Sequence, residues 1–148
     1  MYKSIQYFTI GGAAVFTTVM AIAMKAVAVN PPERYQNVGT QKCLDSNSAG
    51  EVYTFNCNGG SFQNWNVSRV TPYRILKNAA TGKCLESNSA GQAYTLNCNG
   101  GSFQNWNIIG VGSYIKFKNV ATGKCLESNS AGQAYTLDCN DGNFQNWQ

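Results

Sequence analysis

Beyond residue 30, hydrophobic and polar positions alternate in short runs with no helical period. Lys42-Cys43-Leu44-Asp45 is a brief apolar run, and Asn47-Ser48-Ala49-Gly50 after Ser46 is a turn cluster. Tyr53-Thr54-Phe55-Asn56-Cys57 reads as a strand, and Asn58-Gly59-Gly60 as a second turn. Phe62-Gln63-Asn64-Trp65 is expected to begin a third strand, and the stretch around Leu76 a fourth. Turn signals roughly every 8–12 residues predict an all-β sandwich or barrel. Outside the N-terminal leader no window follows the i, i+3, i+4, i+7 pattern of an amphipathic helix.

The pattern occurs three times. Cys43, Cys84 and Cys125 are 41 residues apart, as are Cys57, Cys98 and Cys139, and Trp65, Trp106 and Trp147. Residues 74–107 and 115–148 align without a gap and are identical at 26 of 34 positions, so the chain is a repeat protein. An open stack of repeats needs polar, atypical ends. Here the outer copies keep the apolar positions of the middle one, which favours closure with pseudo-threefold symmetry. A ring of three four-stranded units is a β-trefoil, with repeats at 33–73, 74–114 and 115–148. Only one residue follows Trp147, so the last strand is expected to be short.

Residues 1–28 have a different character. Lys3 gives a positive start, Phe8 to Met24 carries no charge, and Ala21-Ile22-Ala23 and Ala26-Val27-Ala28 are small-x-small endings. This is the layout of a secretory signal peptide removed after Ala28. The run is about 17 residues, the lower limit for a membrane span, so a retained anchor is the rival reading. Residues 29–32, with Pro31 and Pro32, form a short linker. Residues 33–148 are expected outside the cytoplasm, secreted, with membrane contact only if the leader is kept.

Charged residues make up 12% of the chain, well below the roughly 25% of an ordinary domain. After the leader, nine cations stand against seven carboxylates, a net of +2. That is too little for a nucleic-acid-binding stripe. Histidine is absent, which removes the commonest general acid–base group and metal ligand. Six cysteines allow 15 pairings. Repeat symmetry selects Cys43–Cys57, Cys84–Cys98 and Cys125–Cys139. Each closes a loop of about 15 residues, stabilising by about 3 kcal/mol in the chain-entropy treatment. An exported chain keeps such bonds. Zinc would require Cys-x2-4-Cys spacing and His, and neither occurs.

The bridges fix which side chains share a face. Strand residues alternate sides, so Cys43 and Asp45 point one way, as do Tyr53, Phe55 and Cys57. Joining Cys43 to Cys57 makes these one face, with Asn58 and Phe62 following in the adjoining loop. The second copy offers Glu86, Tyr94, Leu96, Asn99 and Phe103. The third offers Glu127, Tyr135, Leu137, Asn140 and Phe144. A carboxylate accepting from two adjacent hydroxyls, an amide that donates and accepts, and a ring over a C–H face suit a sugar. A solvated acid beside half-buried strand aromatics is the bland alternative. Because copying a unit copies its neutral residues too, side-chain chemistry alone leaves both open.

Gln63-Asn64-Trp65, Gln104-Asn105-Trp106 and Gln145-Asn146-Trp147 resemble the Gln-x-Trp triplet of ricin-B-type β-trefoil lectins. Leu44-Asp45-Ser46-Asn47, Val52-Tyr53-Thr54-Phe55 and Asn58-Gly59-Gly60 look closest to the unit of actinohivin-type lectins. The resemblance covers residues 33–148. It implies a trefoil with one sugar pocket per copy and high-mannose glycans or glycoproteins as partners. It makes Asp45 and Asn58 the hydroxyl-binding pair, with Tyr53, Phe55 and Phe62 as the wall, and repeats those roles in the other copies. The tryptophans are implied to pack the core. There are departures: Glu86 and Glu127 replace the family Asp, and Phe62, Phe103 and Phe144 replace Tyr. Ser48-Ala49 replaces Tyr-Asn, and Asp141 replaces Gly. The first copy is therefore expected to hold the most complete site.

Other classes fit less well. A glycosidase needs two carboxylates about 5–9.5 Å apart, whereas each copy offers one on its strands. No Gly-x-Ser-x-Gly or Cys–His pair exists, so no catalytic residue and no cofactor are expected. A non-sugar trefoil, acting as a protease inhibitor or as an adhesion or structural protein, is the alternative; an inhibitor would need one loop unlike its symmetry mates. Asp45 to Gly50 mimics the start of a Ca²⁺ loop, but Ala49 and Asn56 fail at the fifth and twelfth positions, so a hairpin turn is expected and no metal. Asn66-Val67-Ser68 is a glycosylation sequon that matters only in a eukaryotic host.

Overall fold

Two kinds of turn alternate along the chain and produce two kinds of hairpin. The computed structural model describes residues 30–148; the expected signal peptide lies outside them. Short hairpins form around the Ser-Asn-Ser-Ala-Gly clusters: β1 (Cys43–Ser46) with β2 (Val52–Phe55), β5 (Cys84–Ser87) with β6 (Ala93–Leu96), and β9 (Cys125–Ser128) with β10 (Ala134–Leu137). Long hairpins cross the repeat boundaries: β3 (Trp65–Val70) with β4 (Tyr73–Asn78), and β7 (Trp106–Val111) with β8 (Tyr114–Asn119).

At the third boundary the two ends of the described chain pair in place of a long hairpin. Gln36 and Gln148 exchange backbone hydrogen bonds of 2.9 Å in both directions, and Asn37 bridges Trp147. The final strand is short, as expected. Within each copy the first segment also meets the third, through Glu33 and Trp65, Arg74 and Trp106, and Ile115 and Trp147. The arrangement is an all-β, three-fold trefoil.

One expected boundary is wrong. Phe62 does not begin the third strand: Ser61–Gln63, Ser102–Gln104 and Asn143–Gln145 are single 3-10 turns, and the strands start at or next to the tryptophans. The cause is the glutamine, whose side chain is fully buried and whose backbone therefore turns inward.

The core repeats with the sequence. Trp65, Trp106 and Trp147 are inaccessible, as are Leu44, Leu85 and Leu126. A buried indole N–H needs an acceptor. Each one finds the leucine carbonyl of its own copy, at 3.2, 3.0 and 3.2 Å. Tyr35, Leu76 and Phe117 occupy equivalent positions, with Tyr35 edge-on to Phe117 at a centroid distance of 4.7 Å. The Tyr35 hydroxyl donates to Glu33 Oε2 at 2.6 Å. Burial, and then Glu33, raise its pKa.

The three short hairpins are stitched cyclically. Thr95 N–H donates to the Gly50 carbonyl, Thr136 to Gly91 and Thr54 to Gly132, at 2.7–2.8 Å. Hydroxyl pairs Ser46–Thr95, Ser87–Thr136 and Ser128–Thr54 lie beneath. Lys83, Lys124 and Lys42 each donate to a turn carbonyl of the preceding copy, at Ser48, Ser89 and Ser130. The disulfides are Cys43–Cys57, Cys84–Cys98 and Cys125–Cys139, as repeat symmetry predicts.

The stitch requires glycine. Gly50 has φ +94°, and a Cβ there would stand 2.6 Å from the Thr95 carbonyl oxygen. Gly50→Ala is expected to destabilise the fold by about 2 kcal/mol, since strained backbone positions cost about 1–3 kcal/mol. Gly110, with open space around its Cβ position, serves as the control, and Gly110→Ala should change stability by about 0.5 kcal/mol or less. Urea midpoints of the two variants check this.

Candidate functional site

The register of the short hairpins sets the candidate sites. Asp45 lies directly opposite Tyr53, and Cys43 opposite Phe55, so these four share one face. Glu86 opposes Tyr94 and Glu127 opposes Tyr135 in the same way. The other face carries Leu44 and Thr54 into the interior.

The carboxylates are recessed. Asp45 is 4% exposed and Glu86 8%, while Phe55 is 55% exposed and Phe62, Leu96, Phe103, Leu137 and Phe144 also stand out of the surface. A buried charge needs hydrogen bonds. Gln63 Nε2 donates to Asp45 Oδ2 at 2.9 Å and to the Asn56 carbonyl at 3.0 Å. Gln63 Oε1 accepts from the Asn58 backbone N–H at 2.9 Å. Gln104 ties Glu86 to the Asn99 backbone, and Gln145 ties Glu127 to that of Asn140, in the same pattern. One buried amide thus links the carboxylate to the asparagine loop. Reasoning from face alternation overlooked this group; its signal was the glutamine two positions before each tryptophan.

Two of the expected hydrogen-bonding groups are partly engaged inside the protein. Asn58 Oδ1 accepts from Gly60 N–H at 2.8 Å, which uses one of its two lone pairs, and its amide N–H groups stay available to donate. Asn99 and Asn140 are used likewise by Gly101 and Gly142. The glutamine likewise takes one acceptor position on one carboxylate oxygen in every copy.

The second oxygen distinguishes the copies. Tyr94 donates to Glu86 Oε1 at 3.0 Å, and Tyr135 to Glu127 Oε1 at 3.2 Å. Asp45 Oδ1 is buried with no partner. All three tyrosines have raised pKa values, through burial first and then the neighbouring carboxylate.

The phenylalanines reach toward the next copy. Asn78 Nδ2 donates to the Phe62 carbonyl, Asn119 Nδ2 to that of Phe103 and Asn37 Nδ2 to that of Phe144, each at 2.7 Å. The Phe144 ring packs on Gly39, within 2.7 Å of where a Cβ would be. This wall residue is therefore shared with the loop of the first copy.

The third copy differs again. Gly59 and Gly100 have φ of 77° and 73°, whereas Asp141 at the equivalent position leaves the left-handed region. Lys116 pairs with Asp141 at 3.5 Å and donates to the Asn140 carbonyl, anchoring that loop. In the first hairpin turn the Asn47 amide donates to Glu51 Oε2 and the Glu51 N–H donates to Asn47 Oδ1, which closes the turn. Over the pseudo-threefold axis lies an open depression of about 750 Å³, bordered by Tyr53, Tyr135, Leu137, Glu51, Gln92 and Gln133. Leu137 and Asn140 also meet, with Lys124, in a depression of about 460 Å³.

Fold and repeated site together define a three-fold β-trefoil of the lectin class. The ricin-type beta-trefoil lectin domain family matches residues 32–147, and the chain belongs to it. The domains of this family are carbohydrate-binding and generally non-catalytic. No curated protein matches the chain in sequence. Among solved structures, the designed three-fold symmetric protein ThreeFoil is 23% identical with a TM-score of 0.72, covering 78% of this chain and 94% of that one. SeviL, bound to asialo-GM1 saccharide, is 15% identical with a TM-score of 0.67, covering 79% and 94%. The exo-beta-1,3-galactanase 1,3Gal43A from Clostridium thermocellum is 20% identical with a TM-score of 0.75; the match covers 84% of this chain but 31% of the enzyme. These likenesses concern the fold.

Gln63→Leu should strip Asp45 Oδ2, the Asn56 carbonyl and the Asn58 N–H of their partner at once. It is expected to cost about 3 kcal/mol, given about 1–3 kcal/mol for each buried group left unpaired and incomplete additivity between neighbours. Chemical denaturation measures it, and an unchanged midpoint would contradict the arrangement. The tyrosines give a pH signature. A phenol whose folded pKa is raised above the ordinary 10 contributes stability that is complete below pH 10 and is lost as pH climbs through the raised value. Absorbance titration should therefore show Tyr35, Tyr53, Tyr94 and Tyr135 ionising late, and the late fraction should shrink in Tyr94→Phe.

Proposed function

We propose that the chain is a secreted, multivalent lectin that binds mannose-rich glycans through one shallow site per repeat. The observation that carries this is the recurrence, at three registered hairpins, of a recessed carboxylate, its tyrosine, exposed apolar side chains and a pre-set asparagine amide. Recessed acceptors with exposed rings suit a polyol whose hydroxyls point inward and whose C–H face lies on the wall. The resemblance to actinohivin-type units supports mannose, and the neighbour solved with asialo-GM1 saccharide makes that glycan the necessary comparison. Three disulfides and the leader support export. On this reading Asp45, Asn58 and their equivalents bind hydroxyls, and the chain needs no catalytic group.

A single site of this kind binds weakly, but three on one rigid body raise avidity by about 10²–10⁴ when a glycan engages several together. A glycan array with residues 29–148 should retain branched mannose-rich glycans far better than free mannose or galactose, and better than asialo-GM1 saccharide. Equal affinity for monosaccharide and branched glycan, or no retention at all, would reject the reading. In the latter case the protease-inhibitor or adhesion role takes its place.

A further inference from the structure

We propose that the three sites are unequal because two are closed by an internal latch and the first is open to a hydroxyl donor; this rests on the sugar-binding reading above. In the second copy both oxygens of Glu86 are engaged, Oε2 by Gln104 Nε2 at 2.7 Å and Oε1 by the Tyr94 hydroxyl at 3.0 Å. In the third, Glu127 is held by Gln145 at 2.8 Å and by Tyr135 at 3.2 Å. In the first, Gln63 holds Asp45 Oδ2 at 2.9 Å, while Oδ1 has no donor although the residue is only 4% exposed.

The backbone does not explain the difference, because Asp45–Tyr53, Glu86–Tyr94 and Glu127–Tyr135 are the same cross-strand pairs. What differs is one methylene. Glutamate accepts the phenol O–H of its partner at 3.0 and 3.2 Å, whereas the Tyr53 phenol lies close enough to Asp45 for the carboxylate to raise its pKa but makes no bond to Oδ1 within hydrogen-bond distance. A hydroxyl arriving at the second or third copy competes with the tyrosine O–H for the carboxylate oxygen. At the first copy it supplies a bond that the empty protein lacks, and leaving a buried carboxylate oxygen unpaired is itself unfavourable. Since Oδ1 is out of reach of solvent, the incoming hydroxyl enters by an outward turn of the half-buried Tyr53 ring. Glu86 and Glu127 are thus specificity-determining residues acting against binding, with Tyr94 and Tyr135 as their latches.

The latch is measurable without sugar. Tyr94→Phe and Tyr135→Phe each remove a hydrogen bond to a carboxylate and should lower the thermal midpoint by about 4 °C, whereas Tyr53→Phe should leave it within about 1 °C. Equal effects in all three overturn the proposal whatever the protein binds. The second arm titrates the full domain calorimetrically with α-linked mannobiose, and with lactose in parallel. Tyr94→Phe and Tyr135→Phe should tighten binding at their own copies by about three- to tenfold, and Asp45→Glu should weaken binding at the first copy by a similar factor. Sugar binding with three equal sites, unmoved by these variants, overturns the latch and leaves the lectin reading intact. Binding of no sugar by the unaltered protein removes the lectin reading and this proposal with it.

Discussion

The arrangement of each site depends on one buried amide. Gln63, Gln104 and Gln145 are inaccessible to solvent, and each joins the carboxylate of the first hairpin strand to the backbone of the asparagine loop. Two residues on, the tryptophan fills the core and donates its indole N–H to the leucine carbonyl one residue before that carboxylate. The Gln-x-Trp spacing places one side chain under the candidate site and the other under the centre of the molecule. Packing therefore sets site geometry directly: a shift of the indole would carry the glutamine, and through it the acid, out of position.

Most of the fold was legible in the sequence because its determinants are periodic. The 41-residue recurrence of Cys43, Cys57 and Trp65 predicted the closure and the disulfides, the family resemblance implied the buried indoles, and all three are present. The pairing of Asp45 with Tyr53 followed from period-2 alternation once the bridge was assigned. What period 2 could not show was that Phe62 and Gln63 leave the strand for a 3-10 turn. A glutamine wholly buried as a hydrogen-bonding hub reads, in an alternation pattern, like any polar strand residue. The internal use of Asn58 Oδ1 by Gly60 was hidden for a related reason, since side-chain inventories count acceptors before local backbone claims them.

The departures from the family pattern proved more informative than the matches. Glu86 and Glu127 stood out in the sequence only as replacements of the family Asp. In the structure the longer side chain finds an internal partner in the facing tyrosine. Asp141 was expected only as a lost glycine, yet it comes with Lys116, where the first copy has Arg34 and the second Ile75, and Lys116 ties the loop through Asp141 and the Asn140 carbonyl. Both changes consume polar capacity inside the protein that a ligand would otherwise meet. The 26 of 34 identities between the last two copies thus extend to a shared latch, while the more divergent first copy keeps its acceptor unoccupied.

Spacing between sites and affinity at each site are consequently governed by different atoms. Spacing follows from the cyclic stitch, in which glycine carbonyls, threonine amides and paired hydroxyls hold the three hairpins against one another. Those contacts lie on the inward face and involve none of the carboxylates. On the lectin reading proposed above, affinity follows from the outward face, where the proposed latch makes one methylene decide whether a tyrosine or a ligand completes the acid. A substitution on the outward face can therefore alter the strength of one site without moving the other two, so a chain built by duplication can hold three fixed positions while its sites diverge separately. Multivalent gain requires fixed positions and intrinsic affinity at more than one of them. In this chain the first condition is met by the fold, and under the proposed latch the two tyrosine–glutamate pairs limit the second.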